Sequence, residues 1–188
     1  MSTICIFGDS IAWGAFDPEG GGWAGRLRSF VDKTSQEELE IYNLGICGET
    51  TEDLILRFKS ECEARQPDTI IFAIGINDSQ IIDGKSQVTP ERFEQNLNEI
   101  LEQASSFTKD ILFVGLSPVC ESAEKFYTNE EIHKYDLALK RVAKDCGYKY
   151  IKIFEFLNAH DICDDGLHPN SLGHHKIFEI VKNEIFEN

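Results

Sequence analysis

The chain has 188 residues, 41% of them hydrophobic and 27% charged. These are the proportions of a globular protein long enough to bury a core, and they exclude collagen, a disordered tail and a disulfide miniprotein. With 18 Lys and Arg against 33 Asp and Glu the net charge is −15, which argues against nucleic acid or an anionic membrane surface as a partner and favours a neutral or cationic substrate.

Met1-Ser2-Thr3 runs directly into the apolar segment Ile4 to Phe7, the first predicted strand. A basic n-region, a long apolar h-region and a small-residue cleavage site are all missing there, so the expectation is a cytoplasmic protein without a secretion signal. No apolar run approaches the roughly 20 residues of a bilayer span, so integral membrane association is not expected. Gly8-Asp9-Ser10-Ile11 follows the strand. Gly20-Gly21-Gly22-Trp23-Ala24-Gly25 contains G-x-G-x-x-G but does not directly follow a strand. It therefore reads as a flexible, closely packed helix start rather than a dinucleotide site. Trp23, Leu27, Phe30 and Val31 make the stripe of the first long helix.

Leu39 to Asn43 is the second predicted strand, followed by Leu44-Gly45-Ile46-Cys47-Gly48-Glu49-Thr50. Leu54, Ile55, Phe58 and Cys62 mark the next helix. Thr69 to Ile74 is the third strand, leading into Gly75-Ile76-Asn77-Asp78. Thr89-Pro90 is an N-cap followed by proline at the first helical position, and Phe93, Leu97, Ile100, Leu101 and Ala104 form that helix's stripe. Ile111 to Leu116 is the fourth strand, and Ile132, Tyr135, Leu139, Val142 and Cys146 mark the helix after it. Tyr150 to Phe154 is the fifth strand, followed by Asp164-Asp165-Gly166-Leu167-His168-Pro169 and a last helix with Ile177, Ile180, Val181 and Ile185.

The strands are nearly continuous in Ile, Val, Phe and Leu, as strands buried on both faces are. Alternating with helices, they predict an α/β fold with a mostly parallel sheet, a three-layer α/β/α sandwich in one domain over residues 1–188. In such sheets the functional cleft lies beyond the carboxyl ends of the strands. Ser10, Gly48, Asn77, Asp165 and His168 all fall in segments that follow strands, so the fold would gather them on one rim.

That set suits acyl transfer. A serine hydroxyl needs a base to become a nucleophile. Histidine is the side chain whose ordinary pKa lies near neutrality, and His168 supplies one. A carboxylate must hold the imidazole tautomer, and Asp165 is close enough in sequence to do so. The backbone N–H groups of Ser10 and Gly48 and the Asn77 amide could receive the developing oxyanion. Asp9 and Asp78 have the structural task of accepting backbone N–H bonds that aim Ser10 and Asn77.

Together, Gly8-Asp9-Ser10, Gly48, Gly75-Ile76-Asn77-Asp78 and Asp165-Gly166-Leu167-His168 resemble, in order and spacing, the four signature blocks of the SGNH hydrolases, the GDSL lipase/esterase family. The resemblance implies a flavodoxin-like five-stranded sheet of order 2-1-3-4-5 and serine-dependent hydrolysis of esters or thioesters through an acyl-enzyme, without metal or organic cofactor. It makes Ser10 the nucleophile, Asp165 and His168 its partners, and Gly48 and Asn77 the completion of the oxyanion hole. Ile11 departs from the family's Leu, and Gly45 competes with Gly48, which the pattern Asn43-x-Gly45-x-x-Gly48-Glu49-Thr50 favours. The alternative is a flavodoxin-like module that binds a small molecule or nucleotide without hydrolysing it.

Six cysteines occur without a Cys-x-x-Cys pair, so neither a disulfide framework nor a cysteine zinc site is expected. His174 and His175 fall within the last helix and are expected to be structural, and His133 and His160 have no motif around them. Trp13, Phe16, Ile81, Ile82, Val119, Phe126 and Tyr127 fall in the loops expected to wall an apolar acyl site. The small-molecule ester, its chain length and the oligomeric state are not readable from the residues.

Overall fold

The computed structural model describes residues 2–34, 38–123 and 125–186; position 124, inside one of the predicted wall loops, lies outside them. Its elements in chain order are β1 (Ser2–Gly8), α1 (Ser10–Trp13), α2 (Gly22–Thr34), β2 (Leu39–Gly45), α3 (Thr51–Arg65), β3 (Thr69–Ala73), β4 (Ile81–Ile82), β5 (Lys85–Ser86), α4 (Pro90–Ala104), β6 (Asp110–Val114), α5 (Asn129–Asp145), β7 (Lys149–Ile151) and α6 (Ser171–Phe186). Five strands pair in parallel in the order β2-β1-β3-β6-β7. With the small β4–β5 hairpin set aside, this is the predicted order 2-1-3-4-5. The chain reverses direction across the sheet between β1 and β3, the position where open α/β sheets form their cleft.

Alternation along the strands divides the core in two, because successive side chains point to opposite faces. Cys5, Phe7, Ile70, Phe72, Ile111 and Phe113 face α3, α4 and α5. Ile4, Ile6, Ile71, Leu112 and Val114 face α2 and α6. The helical stripes read from the sequence supply the matching layers, with the Phe58 ring packed at a tilt against Phe7 and Phe72 at centroid distances of 4.8 and 5.6 Å. Capping sets the helix starts. Thr50 caps α3 in a reciprocal pair with Asp53, and Thr89 and Thr128 cap α4 and α5.

Three expectations are corrected. The last strand ends at Ile151 rather than Phe154, because Phe156 N–H bonds Ile153 O and turns the chain away from the sheet. The fourth stops at Val114, since Leu116 N–H is taken by Asp136 Oδ1 at 2.9 Å. Cys146 is not part of the buried stripe of α5 but its exposed C-cap.

The G-x-G-x-x-G segment is a packing device. A Cβ on Gly22 would lie 2.3 Å from Gly14 Cα, and one on Gly25 would lie 2.8 Å from Gly20 O. No helix among the described residues is long and apolar enough to cross a membrane.

Candidate active site

The strand tips bring Ser10, Asp165 and His168 together. β1 ends at Gly8, where a Cβ would lie 2.2 Å from Ala73 O and 2.6 Å from Ala12 Cβ. Glycine there lets the chain turn sharply into α1, whose first residue is Ser10. Asp9 caps this short helix, its Oδ1 accepting Ile11 N–H at 2.8 Å. The Ser10 hydroxyl then donates to His168 Nε2 at 2.9 Å.

His168 lies in a tight loop after β7. His168 Nδ1–H donates to Asp165 Oδ2 at 2.6 Å, while Asp165 Oδ1 accepts the N–H groups of Leu167 and His168 at 3.0 and 3.1 Å. Partial burial opposes ionisation of Asp165, but the His168 bond and these two N–H groups outweigh it and hold the carboxyl below its usual range. The loop is closed by Cys163 N–H to His168 O and by a bridge between Ile162 and Pro169. The relay opens to solvent, with the His168 and Asp165 side chains 17% and 34% exposed.

The loop after β2 distinguishes its two glycines. Gly45 N–H is occupied by Asn43 Oδ1 at 3.1 Å. A Cβ on Gly45 would lie 2.4 Å from Trp13 N, so this glycine is required for the approach of α1. Gly48 is exposed with φ +79°, the left-handed region that favours glycine, and its N–H has no backbone partner among the described residues. Behind it, the buried Glu49 carboxylate forms a bidentate pair with Arg57, whose guanidinium also reaches Leu44 O.

Asn77 is buried in the loop after β3. Its Nδ2 donates to Glu49 O at 2.9 Å and its Oδ1 accepts the Tyr127 hydroxyl at 3.2 Å. A primary amide carries two N–H bonds, so one remains beyond the Glu49 contact. Tyr127, read from sequence only as a pocket wall, is therefore buried and orients this amide. A lone tyrosine after a predicted strand carries no local signal of that task.

Asp78 turns away from the relay and accepts both the N–H and the hydroxyl of Thr51 at the start of α3. It thereby ties the Asn77 loop to the Gly48 loop. Burial pushes the carboxyl of Asp9 up to about 7 and that of Asp78 up to about 6. The carboxyl of Asp9 also occupies the N–H of Ile11 at the start of α1, in the loop that a bound phosphate would need.

Of the other predicted wall residues, Trp13, Phe16, Ile82 and Phe126 are exposed, Ile81 is half-buried and Val119 is buried. A cavity of about 670 Å³ is lined by Val119, Cys120, Ser122, Leu157 and Ile162, with none of Ser10, Asp165 and His168 on its wall. Among the described residues no three His, Cys, Asp or Glu side chains gather to hold a metal ion.

Comparison with known proteins gives a consistent picture. The profile of the GDSL-like Lipase/Acylhydrolase family matches residues 6–176. The uncharacterized lipoprotein YqeF of Bacillus subtilis is 30% identical over 127 residues, covering 63% of this chain and 52% of that protein, so the match spans about half of the relative's length. The Escherichia coli protein thioesterase 1/protease 1/lysophospholipase L1 is 24% identical over 171 residues, 89% of this chain and 76% of its own. Two solved structures share the fold. A lipase/acylhydrolase from Enterococcus faecalis superposes with a TM-score of 0.85 at 21% identity, covering 98% of this chain and 95% of that one. A catalytic mutant of Axe2, an acetylxylan esterase from Geobacillus stearothermophilus, gives 0.83 at 19% identity, with 98% and 94% covered.

Proposed function

We propose that this chain, which belongs to the GDSL-like lipase/acylhydrolase family, is a serine hydrolase that cleaves small carboxylic esters or thioesters through an acyl-enzyme. The observation that carries this reading is the unbroken relay from Ser10 Oγ to His168 Nε2, 2.9 Å, and from His168 Nδ1 to Asp165 Oδ2, 2.6 Å.

In this mechanism Ser10 Oγ attacks the acyl carbon while its proton passes to His168 Nε2. Asp165 keeps the imidazole in the tautomer that presents Nε2 to the hydroxyl and stabilises the imidazolium. The carbonyl oxygen, now an anion, takes hydrogen bonds from Ser10 N–H, Gly48 N–H and the second N–H of Asn77. Loss of one such donor typically costs about 2.7–4 kcal/mol of transition-state stabilisation. The tetrahedral intermediate collapses, the bond to the leaving oxygen or sulfur breaks, and His168 returns its proton to that atom. Water, its proton taken by His168, attacks the acyl carbon; the bond to Ser10 Oγ then breaks, His168 returns the proton to that oxygen, and the acid is released.

The net charge of −15 favours neutral acyl donors over polyanionic ones. The relatives named for thioester, lysophospholipid and acetylated-xylan substrates define the panel to test, together with p-nitrophenyl esters of rising chain length. A fluorophosphonate probe tests the nucleophile directly. It labels Ser10 in the wild-type protein and leaves Ser10→Ala unlabelled, with labelling strongly slowed in His168→Ala. Equal labelling of wild type and Ser10→Ala would overturn the reading.

A further inference from the structure

Phe16 has a backbone that its own side chain does not favour. Its φ is +64°, in the left-handed region that bulky residues avoid. It occupies the third position of a turn closed by Asp17 N–H to Gly14 O at 3.3 Å, where a positive φ ordinarily selects glycine. The same loop uses glycine at 14, 20, 21 and 22, yet not here. Burial does not explain the phenylalanine, since it is 59% exposed. Its ring instead lies against the His168 imidazole, with centroids 5.0 Å apart and planes inclined by 37°.

Both neighbours of Phe16 are held in place. Ala15 O accepts His174 Nε2–H at 3.0 Å, and His174 Nδ1 accepts Trp23 N–H at 3.3 Å, so this fully buried ring bridges the loop to α2. Burial lowers the pKa of His174, in keeping with the neutral ring that the two bonds require. On the other side, Asp17 accepts the N–H groups of Gly20 and Gly22 and the guanidinium of Arg26, which also reaches Ser171 Oγ at 2.8 Å. Ser171 and His174 belong to the first turn of α6, which begins three residues after His168. One helix start therefore fixes the distance between the aromatic ring and the imidazole. Strain retained where surrounding bonds over-determine it is a mark of functional positions.

We propose that Phe16 is a positioning residue for His168: its ring bears on the imidazole, keeps Nε2 directed at Ser10 Oγ during the proton transfers, and is held by the His174 and Asp17 anchors. This rests on the serine-hydrolase reading above. It goes beyond that reading in assigning a strained, exposed aromatic outside the signature blocks to the upkeep of the base.

The deciding variant is Phe16→Gly, because glycine relieves the positive φ while removing the ring. Wild type, Phe16→Gly, Phe16→Tyr and Ser10→Ala are compared for melting temperature, for kcat and KM on p-nitrophenyl acetate, and for the rate of fluorophosphonate labelling. The expected result is a melting temperature for Phe16→Gly equal to or above wild type. Its kcat and labelling rate both fall by about 10-fold to 100-fold, the scale of a misaligned catalytic group, with KM changed by less than about twofold. Phe16→Tyr restores most of the kcat. Three results overturn the proposal: kcat and labelling of Phe16→Gly within about twofold of wild type, a rise in KM alone, or a melting temperature that falls together with the rate. If Ser10→Ala labels and turns over ester like wild type, the serine-hydrolase reading itself fails; an inactive Ser10→Ala beside a fully active Phe16→Gly removes only the role of Phe16.

Discussion

The Tyr127 hydroxyl donates to Asn77 Oδ1 at 3.2 Å, while Asn77 Nδ2 donates to Glu49 O at 2.9 Å. Together these bonds fix which end of the amide is the donor end. Burial and the nearby Asp9 carboxylate push the Tyr127 phenol up to about 12, so its proton is retained for this bond through the neutral range. Tyr127→Phe preserves the ring and removes the bond, leaving a buried carbonyl oxygen without its donor. The expected result is a kcat about tenfold lower with little change in KM, since only the alignment of an oxyanion donor is lost. The cost in stability should be about 1–3 kcal/mol, and denaturant melts with steady-state kinetics check both.

Asp165→Asn tests the relay at its far end. Asparagine has one oxygen: if that oxygen keeps the N–H groups of Leu167 and His168, its amide faces Nδ1, and if it faces Nδ1 those N–H groups meet an amide, so the imidazole tautomer is no longer fixed by charge. In the serine-protease triad the equivalent change lowers kcat by about 10⁴. Here, with Asp165 34% exposed, a loss of about 10²–10⁴ in kcat is expected, at nearly unchanged melting temperature. Activity within threefold of wild type would remove Asp165 from the mechanism.

Gly45→Ala and Gly48→Ala should separate folding from catalysis. A Cβ at 45 meets backbone atoms of Trp13 and Asp9 at 2.4 and 2.8 Å, so Gly45→Ala should lower the melting temperature sharply and disturb the whole site. At 48 the space is open and only the φ of +79° resists, costing about 1–2 kcal/mol. Gly48→Ala should therefore fold but lose kcat as its N–H shifts. Thermal melts paired with kcat for each variant decide between these outcomes.

Stability should also carry a signature of Asp9. Its carboxyl is pushed up to about 7 by burial from an ordinary value near 3.9. Between those pH values the folded state binds more protons than the unfolded state, so this group's contribution falls as pH rises from about 4 to 7 and is level above that. Asp9→Asn keeps a cap acceptor for Ile11 N–H and removes the ionisation. The melting temperature of the variant relative to wild type should therefore rise from pH 5 to pH 8. Scanning calorimetry across that range checks the sign, and a difference that shrinks with rising pH would contradict it.

The fold was legible because its signals are short-range and repeated. Runs such as Ile70 to Ile74 and stripes such as Phe93, Leu97 and Ile100 carry their burial in their spacing. Ser10, His168 and Asp165 were legible because Ser10 stands directly beyond the first strand and the other two belong to one short block, Asp165-Gly166-Leu167-His168, before the last helix. What supports them was not. Tyr127 on Asn77, Arg57 on Glu49 and His174 on Ala15 are contacts between residues 8 to 159 positions apart, and nothing local in the chain marks either partner. The short helix α1 was also missed, since four residues hold too little pattern to register. Phe16 was legible only as an apolar side chain, because neither its φ nor its neighbour is written in the residues around it.

His168 and Asp165 share one loop, closed on itself by the bond from Cys163 to His168 and the bridge from Ile162 to Pro169. Their mutual geometry is thus inherited locally, while the contacts with Ser10 and Phe16 and the bond from Cys120 N–H to Gly166 O join this loop to the rest of the fold. The segment from Ile162 to Pro169 behaves as a cassette: drift or engineering can reseat it against Ser10 and Phe16 as one piece, without rebuilding the bond between the imidazole and its carboxylate.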